Sequence, residues 1–288
     1  MDTPIKLPPL QVKSLLRRYD LKPHKGLGQN FLIDENALNK IIKVSEITND
    51  TTVLEIGPGL GSLTRHLAVH SKDVVTIELD NHLIPVLQEV LIDHKNVNVI
   101  HADILKIDIN QVIKEPNYYV IANIPYYITS AIIRRLMESD NKPLRTVLTI
   151  QMEVAQRIIA QPGKLNLLAL SVQVFGKPSI AARIPAGSFY PQPDVDSAVV
   201  RVDNYPEPVI PTELLPHFFK LAKAGFSQKR KTLKNSISGG MAITKDECEQ
   251  IFSSAGIDPQ RRAQTLSLKD WGNLTHSYIN HKNKTDQK

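Results

Sequence analysis

Short apolar runs rich in valine and isoleucine recur along the first half of the chain. They read TTVLEIG, DVVTIELD, VNVIHAD, YYVIAN and RTVLTIQ, and each has the length of one buried strand. Between them lie stretches with helical spacing of apolar residues, at 62–70, 82–94 and 131–139. This alternation of strands and helices predicts a doubly wound α/β sheet with parallel strands.

The pattern changes in the last third of the chain. Two further strands are predicted in PSIAARIP and DSAVVRVD, joined by the proline-rich loop AGSFYPQPDV and followed by the linker NYPEPVIPT. Beyond the linker, helical spacing prevails in ELLPHFFKLAKAGF, KDECEQIFSSAG and LKDWGNLTHSYI. We therefore expect an α/β domain over residues 1–204 and a small all-helical domain over residues 205–288.

Composition excludes several classes of protein. Of the 288 residues 42% are hydrophobic, enough for a core, yet no apolar run reaches the roughly 18 residues that span a bilayer. A single cysteine, Cys248, excludes a disulfide framework and a cysteine-based zinc site, and the nine histidines are scattered. We expect no signal peptide, no metal, no membrane partner and a cytoplasmic setting.

Positive charge is concentrated in two stretches. The formal net charge is +6, and the segment 213–235 holds six basic residues and one acid. Residues 11–25 add five basic residues against Asp20. Two interpretations remain open on charge alone: solvated helix faces, or a surface that binds the phosphates of a nucleic acid.

The first chemical motif is VLEIGPGLGSLTRHL, which passes from strand through a glycine-rich turn into a helix. Gly57, Gly59 and Gly61 allow a tight turn and a close approach of the backbone to a ligand. Ser62 occupies the place of the third glycine of a dinucleotide fingerprint, and no Gly-Lys-Ser/Thr follows as in a P-loop. The turn either binds a ligand of another kind or has a purely structural role.

Acidic residues end the next two strands. Glu78 lies about 20 residues after the turn, where a carboxylate can accept hydrogen bonds from ribose hydroxyls, and Asp103 can accept from an adenine amine. Each acid alone is also typical of a turn, but together with the glycines they share the carboxyl edge of the sheet. Ribose and adenine contacts without a phosphate site favour S-adenosylmethionine over a nicotinamide dinucleotide.

The fourth strand ends in the tetrad NIPY. The Asn123 side chain and a backbone oxygen near Ile124 can accept both N–H groups of an exocyclic amine and direct its lone pair toward a methyl donor. Pro125 stiffens the turn and adds no competing donor. Tyr126 offers a ring on which the base can stack, a contact of roughly 1–3 kcal/mol. The alternative is a simple turn at a strand end.

These motifs resemble the ribosomal RNA adenine N6-dimethyltransferase family over nearly the full chain. The similar segments are KGLGQNFLIDENALNKII, EIGPGLGSLT, IELD, HADIL, NIPYYITS, SFYPQPDVDSAVV and AGFSQKRKTLKNSI. The resemblance implies a Rossmann-like class I methyltransferase domain with an N-terminal lid, followed by a small helical domain. It places Asn30, Leu32, Gly57, Gly59, Glu78, Asp103 and Asn123 at the cofactor.

The resemblance also implies catalytic and RNA-binding residues. It places Asn123, Pro125 and Tyr126 at the target adenine, with Phe189 stacking on the opposite side of the base. Phe189 alone is equally typical of ordinary packing. The predicted RNA contacts in the helical domain are Lys229, Arg230, Lys231 and Lys234.

The implied activity is dimethylation of two adjacent adenosines near the 3′ end of small-subunit rRNA. The expected partners are the small-subunit precursor and its rRNA, with no DNA, and the chain is expected to act as a monomer. The housekeeping branch, whose members methylate small-subunit rRNA, usually has leucine at the position of Ile124. Isoleucine there is common in resistance enzymes that methylate large-subunit rRNA. The segment FSQKRKTLKN, in contrast, favours the housekeeping branch.

The same residues bear on other classes of protein. A DNA adenine methyltransferase shares Asn-x-Pro-Tyr but not this small basic helical domain. A dehydrogenase is disfavoured by the glycine spacing. A non-catalytic RNA-binding factor on the same fold is disfavoured by the intact set of Asn123, Pro125 and Tyr126.

Overall fold

The computed structural model describes residues 7–125 and 128–285, which form two compact units. The first unit contains the described residues up to Ala155 together with Pro178–Asn204, and the second contains Gln156–Lys177 and the chain from Tyr205 onward. The predicted boundary at 204/205 coincides with one of these breaks. Residues 156–177, which the sequence pattern assigned to the first domain, lie instead in the second unit.

The first unit alternates strands and helices after a short N-terminal helix. Its helices are α1 (Val12–Arg18), α2 (Glu35–Ser45), α3 (Ser62–His70), α4 (Ile84–Val90), α5 (Ile109–Val112) and α6 (Thr129–Glu138). Its strands are β1 (Phe31–Leu32), β2 (Thr52–Ile56), β3 (Asp73–Glu78), β4 (Val97–His101), β5 (Tyr119–Asn123), β6 (Arg145–Gln151), β8 (Phe189–Tyr190) and β9 (Ser197–Asn204). Helix α7 (Met152–Ile158) and strand β7 (Gly176–Ile184) cross the breaks between the units.

A seven-stranded sheet organises the first unit, in the order β4-β3-β2-β5-β6-β9-β7. Strands β4, β3, β2, β5 and β6 run parallel to their neighbours, whereas β9 is antiparallel to β6. Chain order reverses at β2, which has β3 on one side and β5 on the other. Such a reversal opens a crevice at the carboxyl ends of the strands, where ligands of doubly wound folds bind.

The predicted α/β architecture is confirmed, with one correction to the sheet. Every apolar run identified as a strand forms one, and β2 is buried along its whole length. The sheet is not wholly parallel, because β9 is antiparallel to β6. The chain from β6 to β9 passes through helical segments and β7, and the proline-rich loop joins β7 to β9.

An N-terminal segment lies against the carboxyl edge of this sheet. Residues 27–32, which we call the lid, begin at the last residue of a 3-10 turn (Lys25–Leu27) and end in β1. Strand β1 pairs antiparallel with β8, with Leu32 opposite Phe189. Helix α1 packs through Leu15 and Leu16 in a cluster that also holds Phe31 of the lid.

Ion pairs fix the far end of α2, the helix that follows the lid. Glu46, just after α2, accepts from Arg145 of β6 at 2.8 Å and from Arg201 of β9 at 2.6 Å. Both arginines also bond Asp203, at 2.6 and 2.9 Å. The Arg145 guanidinium further donates to the carbonyl of Ser45, the last residue of α2, at 2.9 Å. This network holds α2 against two neighbouring strands.

The second unit is built from helices. They are α8 (Leu167–Gln173), α9 (Leu215–Phe226), α10 (Leu233–Met241), α11 (Lys245–Ala255) and α12 (Leu268–Thr285). Trp271, Phe218 and Phe252 are fully buried among them. A side chain at Gly225 would lie 2.6 Å from the Trp271 ring, so glycine permits this close packing. Three of these helices were predicted, while α8 and α10 were not.

Candidate active site

A cleft lies at the carboxyl ends of β2, β3, β4 and β5, entirely within the first unit. It encloses about 1010 Å³ of space, counting its open mouth. Eight of the predicted site residues line it: Asn30, Leu32, Gly57, Gly59, Glu78, Asp103, Asn123 and Pro125. The rule that parallel strands place their carboxyl ends at one edge thus brings together residues spread over nearly a hundred positions.

The glycines of the turn after β2 serve different purposes. Gly57 and Gly59 have φ angles of +68° and +60°, which side chains rarely adopt. A Cβ atom at Gly57 would meet nothing within 4 Å, so this backbone is open to a ligand. A Cβ atom at Gly59 would lie 2.9 Å from the ring of Phe31. The second glycine therefore makes room for the lid.

Glu78 is buried at the edge of the cleft and keeps part of its hydrogen-bonding capacity unused. Its carboxylate is 6% exposed, accepts the Gly59 N–H at 3.1 Å and accepts the Asp80 N–H at 2.8 Å. A carboxylate offers about four lone pairs, so two remain for vicinal hydroxyls. Burial raises the pKa of Glu78, and the backbone N–H groups counteract that rise only in part.

Asp103 lies at the same edge and is more open. Its side chain is 26% exposed, its Oδ1 accepts the Leu105 N–H at 2.9 Å, and its Oδ2 lies 3.5 Å from the Lys106 ammonium. The local turn therefore orients the carboxylate while part of it stays accessible from the cleft. This environment fits an acceptor for an adenine amine.

A third carboxyl group, Glu55, lines the cleft and was not predicted. It lies in β2, is 1% exposed, and its Oε2 has no hydrogen-bond partner among the described residues. Burial raises the pKa of Glu55 to about 8, and the nearby hydroxyls of Thr64 and Thr76 lower it only partly. The signal available in the sequence was a glutamate inside an otherwise apolar strand.

Asn123 ends β5 and is joined to the lid. Its Nδ2 donates to the backbone carbonyl of Asn30 at 3.1 Å. This bond uses the donor side of the amide, and Oδ1 is its acceptor side. The Asn30 side chain in turn donates to the carbonyl of Gly28 at 3.2 Å, which supports the bend of the lid.

The turn after Asn123 is held by its proline carbonyl. The oxygen of Pro125 accepts from the Thr129 hydroxyl at 3.3 Å and from the Ile128 N–H at 3.4 Å. Ile124 is 2% exposed and lines the cleft. Tyr126, predicted to stack on the base, lies outside the described residues.

Phe189 is not among the residues that line the cleft. It is 3% exposed and packs in the core with Leu32, Leu38 and Val199. The pairing of β8 with β1 brings it under the lid rather than to the open edge. Packing, the alternative that the sequence left open for Phe189, describes its place in this structure.

The predicted RNA contacts lie in the second unit. Lys229, Arg230 and Lys231 are exposed in the loop between α9 and α10, and among the described residues none of the three forms an ion pair. Hydrogen bonds from Leu233 to Arg261 and from Lys234 to Pro259 anchor the end of this loop. The Lys234 ammonium pairs with Glu249, and its side chain is 17% exposed. Lys234 is therefore less exposed than the other three and, unlike them, already has an acidic partner.

The charge of the cleft identifies the kind of ligand it suits. Glu55, Glu78 and Asp103 contribute three carboxyl groups, of which Glu55 stays protonated at neutral pH because its pKa is raised to about 8, and the described lining includes no lysine or arginine. A dinucleotide with its pyrophosphate would find no cation here, while a cationic nucleoside finds carboxylates and the open backbone at Gly57. The residues present fit S-adenosylmethionine, which carries a sulfonium and an ammonium group.

Comparison with known proteins agrees with this chemistry. The model of the ribosomal RNA adenine dimethylase family matches residues 21–280. The chain belongs to this family. Ribosomal RNA adenine dimethylases are enzymes that use S-adenosylmethionine, so the predicted cofactor is confirmed.

Relatives within the family are similar over almost the whole chain. The protein named ribosomal RNA small subunit methyltransferase A from Dehalococcoides mccartyi (strain CBDB1) is 42% identical, covering 93% of this chain and 92% of the relative. The protein of that name from Clostridium botulinum (strain Langeland) is 41% identical, covering 92% of this chain and 98% of the relative. The one from Bacillus mycoides (strain KBAB4) is 39% identical, covering 95% of this chain and 97% of the relative.

Two solved structures of RNA-modifying enzymes share the fold. A dimethyladenosine transferase from Plasmodium falciparum is 25% identical, with a TM-score of 0.74, covering 88% of this chain and 98% of that one. The 23S rRNA methyltransferase ErmE is 27% identical, with a TM-score of 0.69, covering 86% and 99%. The predicted Rossmann-like class is therefore confirmed.

The described residues offer neither a metal cluster nor a membrane-spanning helix. No group of three or more histidine, cysteine, aspartate or glutamate side chains there is arranged to hold a metal ion. None of the helices in that part of the chain is both long and apolar enough to cross a bilayer.

Proposed function

We propose that this protein transfers methyl groups from S-adenosylmethionine to the N6 atoms of two adjacent adenosines near the 3′ end of small-subunit rRNA. The observation that carries this proposal is the cleft, in which three carboxyl groups precede an asparagine amide at the next strand end. A cofactor site leading to an amide acceptor is the arrangement that methylation of an exocyclic amine requires.

The proposed cofactor contacts are distributed along the cleft. Glu78 receives the ribose hydroxyls, Asp103 the adenine amine, and the open backbone at Gly57 the part of the ligand nearest the turn. Asn30 and Leu32 cover the ligand from the lid, and Gly59 gives the lid its room. When bound, S-adenosylmethionine supplies an electrophilic methyl group on a sulfonium.

The proposed work of Asn123 is to prepare the amine. Its Oδ1 accepts one N6–H, and a backbone oxygen near Ile124 accepts the other, so both hydrogens are held and the nitrogen lone pair is directed out of the ring plane. The bond from Nδ2 to the Asn30 carbonyl fixes which side of the amide faces the substrate. Pro125 keeps these oxygens in place, and we retain Tyr126 as the stacking partner. This chemistry relies on positioning.

The exposed loop of the second unit is the proposed RNA contact. Lys229, Arg230 and Lys231 carry three positive charges without acidic partners among the described residues, which suits binding of the phosphate backbone. Lys234 has a smaller part in this proposal, since it pairs with Glu249. Phe189 remains a candidate stacking residue only if the base reaches its buried ring.

Two observations bear on which ribosomal subunit is the substrate. The relatives at 39–42% identity are named as small-subunit enzymes, whereas the 23S enzyme is 27% identical. Ile124, in contrast, matches the residue common in large-subunit enzymes. We favour the small subunit, with its precursor as partner, a monomeric enzyme and a cytoplasmic setting.

Methylation of purified subunits tests the proposal. The protein is incubated with labelled S-adenosylmethionine and either unmethylated small or unmethylated large ribosomal subunits, and the digested RNA is examined for N6,N6-dimethyladenosine by mass spectrometry. Dimethyladenosine in small-subunit RNA alone is the expected result. Product in large-subunit RNA would overturn the choice of subunit, and RNA binding without product would leave a non-catalytic binding factor.

A further inference from the structure

Two side-chain hydrogen bonds join the lid to residues at or just after the carboxyl ends of β5 and β3. At the catalytic end, Asn123 donates to the Asn30 carbonyl at 3.1 Å. At the ribose end, Gln29 Nε2 donates to Asp80 Oδ2 at 2.7 Å. The proposed function uses the first of these bonds and gives no role to the second.

Both polar atoms of the Gln29 side-chain amide form hydrogen bonds. Its Oε1 accepts the His24 N–H at 2.8 Å, while its Nε2 donates to Asp80. The amide therefore ties the turn that precedes the lid to Asp80, two residues after the end of β3. Because Oε1 is held by His24, the atom that faces Asp80 is the donor.

Asp80 connects this bond to the proposed ribose site. Its backbone N–H donates to Glu78 Oε1 at 2.8 Å, and its Oδ1 accepts the His82 N–H at 3.1 Å and caps a short 3-10 helix. Oδ2 is thereby directed to Gln29. Partial burial would raise the pKa of Asp80, but the hydrogen bonds from Gln29 and His82 outweigh it and lower that pKa.

We propose that Gln29 is a positioning residue that latches the lid over the bound cofactor through Asp80. The inference rests on the proposed function, since it assigns the cofactor to this cleft. With the latch closed, the lid covers the ligand and the Asn30 carbonyl stays in reach of Asn123. With the latch open, the ligand leaves faster and the Asn123 amide loses its fixed orientation.

The size of the effect follows from the nature of the bond. The Asp80 side chain is 13% exposed, so its bond to Gln29 is sheltered from water. A hydrogen bond to a charged group of this kind shifts an equilibrium by about ten- to hundredfold. We expect Gln29→Glu to weaken cofactor binding by a factor in this range, because two carboxylates would then face each other.

Exchanging donor and acceptor provides the decisive variant. In Gln29→Glu with Asp80→Asn, the new glutamate still accepts the His24 N–H, and the new asparagine amide donates to it while its oxygen keeps the helix cap. The double variant should recover most of the affinity that Gln29→Glu loses. Gln111→Glu, an exposed site on α5, is the matched control for added charge.

Two measurements are made on these variants. Hydrogen exchange of the peptide spanning residues 25–33 is followed without cofactor, and the dissociation constant and off-rate of S-adenosylmethionine are measured by calorimetry and stopped flow. Faster exchange and faster release in Gln29→Glu, reversed in the double variant and absent in the control, are expected. Exchange and release equal to wild type in Gln29→Glu would overturn the latch, as would a double variant no better than the single one.

The wild-type protein separates this idea from the proposed function. If wild type binds S-adenosylmethionine and methylates rRNA while Gln29→Glu does both equally well, only the latch is wrong. If wild type neither binds the cofactor nor methylates RNA, the proposed function fails and the latch fails with it.

Discussion

Replacing Glu55 with glutamine should change how the stability of the first unit depends on pH. Glu55 is buried in β2, and burial raises its pKa from 4.5 to about 8. The folded chain therefore keeps a proton that the unfolded chain releases above pH 4.5. The resulting contribution to stability is fully present below pH 4.5 and is lost as the pH rises to about 8. Glutamine has no such proton to lose.

The magnitude follows from the difference between the two pKa values. About 8 minus 4.5 is about 3.5 pH units, and each unit corresponds to 1.36 kcal/mol, which gives an upper limit of about 5 kcal/mol. Between pH 5 and pH 8, a window of 3 units, the Gln variant should therefore gain stability relative to wild type by up to about 4 kcal/mol.

The assay must report on the first unit. The single tryptophan, Trp271, lies in the second unit, so its fluorescence would follow the wrong part of the chain. Native-state hydrogen exchange of the β2 amides is therefore measured at pH 5, 6, 7 and 8 and corrected for intrinsic exchange rates. It reports the unfolding of the first unit. Glu115→Gln, an exposed site in the same unit, is the control. Parallel stability curves for wild type and Glu55→Gln across this range would refute the reasoning.

Three further outcomes are expected. Asn123→Ala should lower the rate of methyl transfer at least about a hundredfold, comparable to the loss of one aligned hydrogen bond in a transition state. The cofactor dissociation constant should rise less than tenfold. Rapid-quench and calorimetric measurements check both values, and wild-type turnover would exclude the assigned role. Gly59→Ala should weaken cofactor binding at least about tenfold, because the methyl group meets Phe31 at 2.9 Å and the φ of +60° costs about 1–2 kcal/mol. Adding Phe31→Leu to this variant should restore part of the lost affinity, and no rescue would count against a steric cause. Reversing the charges at 229–231 should weaken RNA binding and lower the slope of its salt dependence by an amount equivalent to roughly three phosphate contacts, with cofactor affinity unchanged. If titrations at several salt concentrations match wild type, this loop is only a solvated surface.

The strand ends were predictable from the sequence because the rule that places them is general. Apolar runs fix the strands, and parallel strands bring residues such as Gly57, Glu78 and Asn123 to one edge whatever their separation along the chain. Glu55 also carries a signal, a charged residue inside a buried strand, although no motif singles it out.

Other features depend on pairings that the sequence does not encode locally. Whether Phe189 faces the cleft or the core is decided by the pairing of β8 with β1, which lies more than 150 positions away. The bond from Gln29 to Asp80 likewise joins residues 51 positions apart. The assignment of residues 156–177 to the second unit follows from packing, and no linker-like composition marks that break.

The ion pairs at the end of α2 have a consequence for repeated turnover. If two adjacent adenosines each receive two methyl groups, every RNA consumes four cofactor molecules, and the spent cofactor must be exchanged four times. Glu46 ties the end of α2 to Arg145 and Arg201. The helix behind the lid can therefore remain in place during each exchange, and only the few residues in front of it need to move. Replenishing the methyl donor then requires a small local opening, repeated four times per ribosomal subunit, rather than any loosening of the sheet.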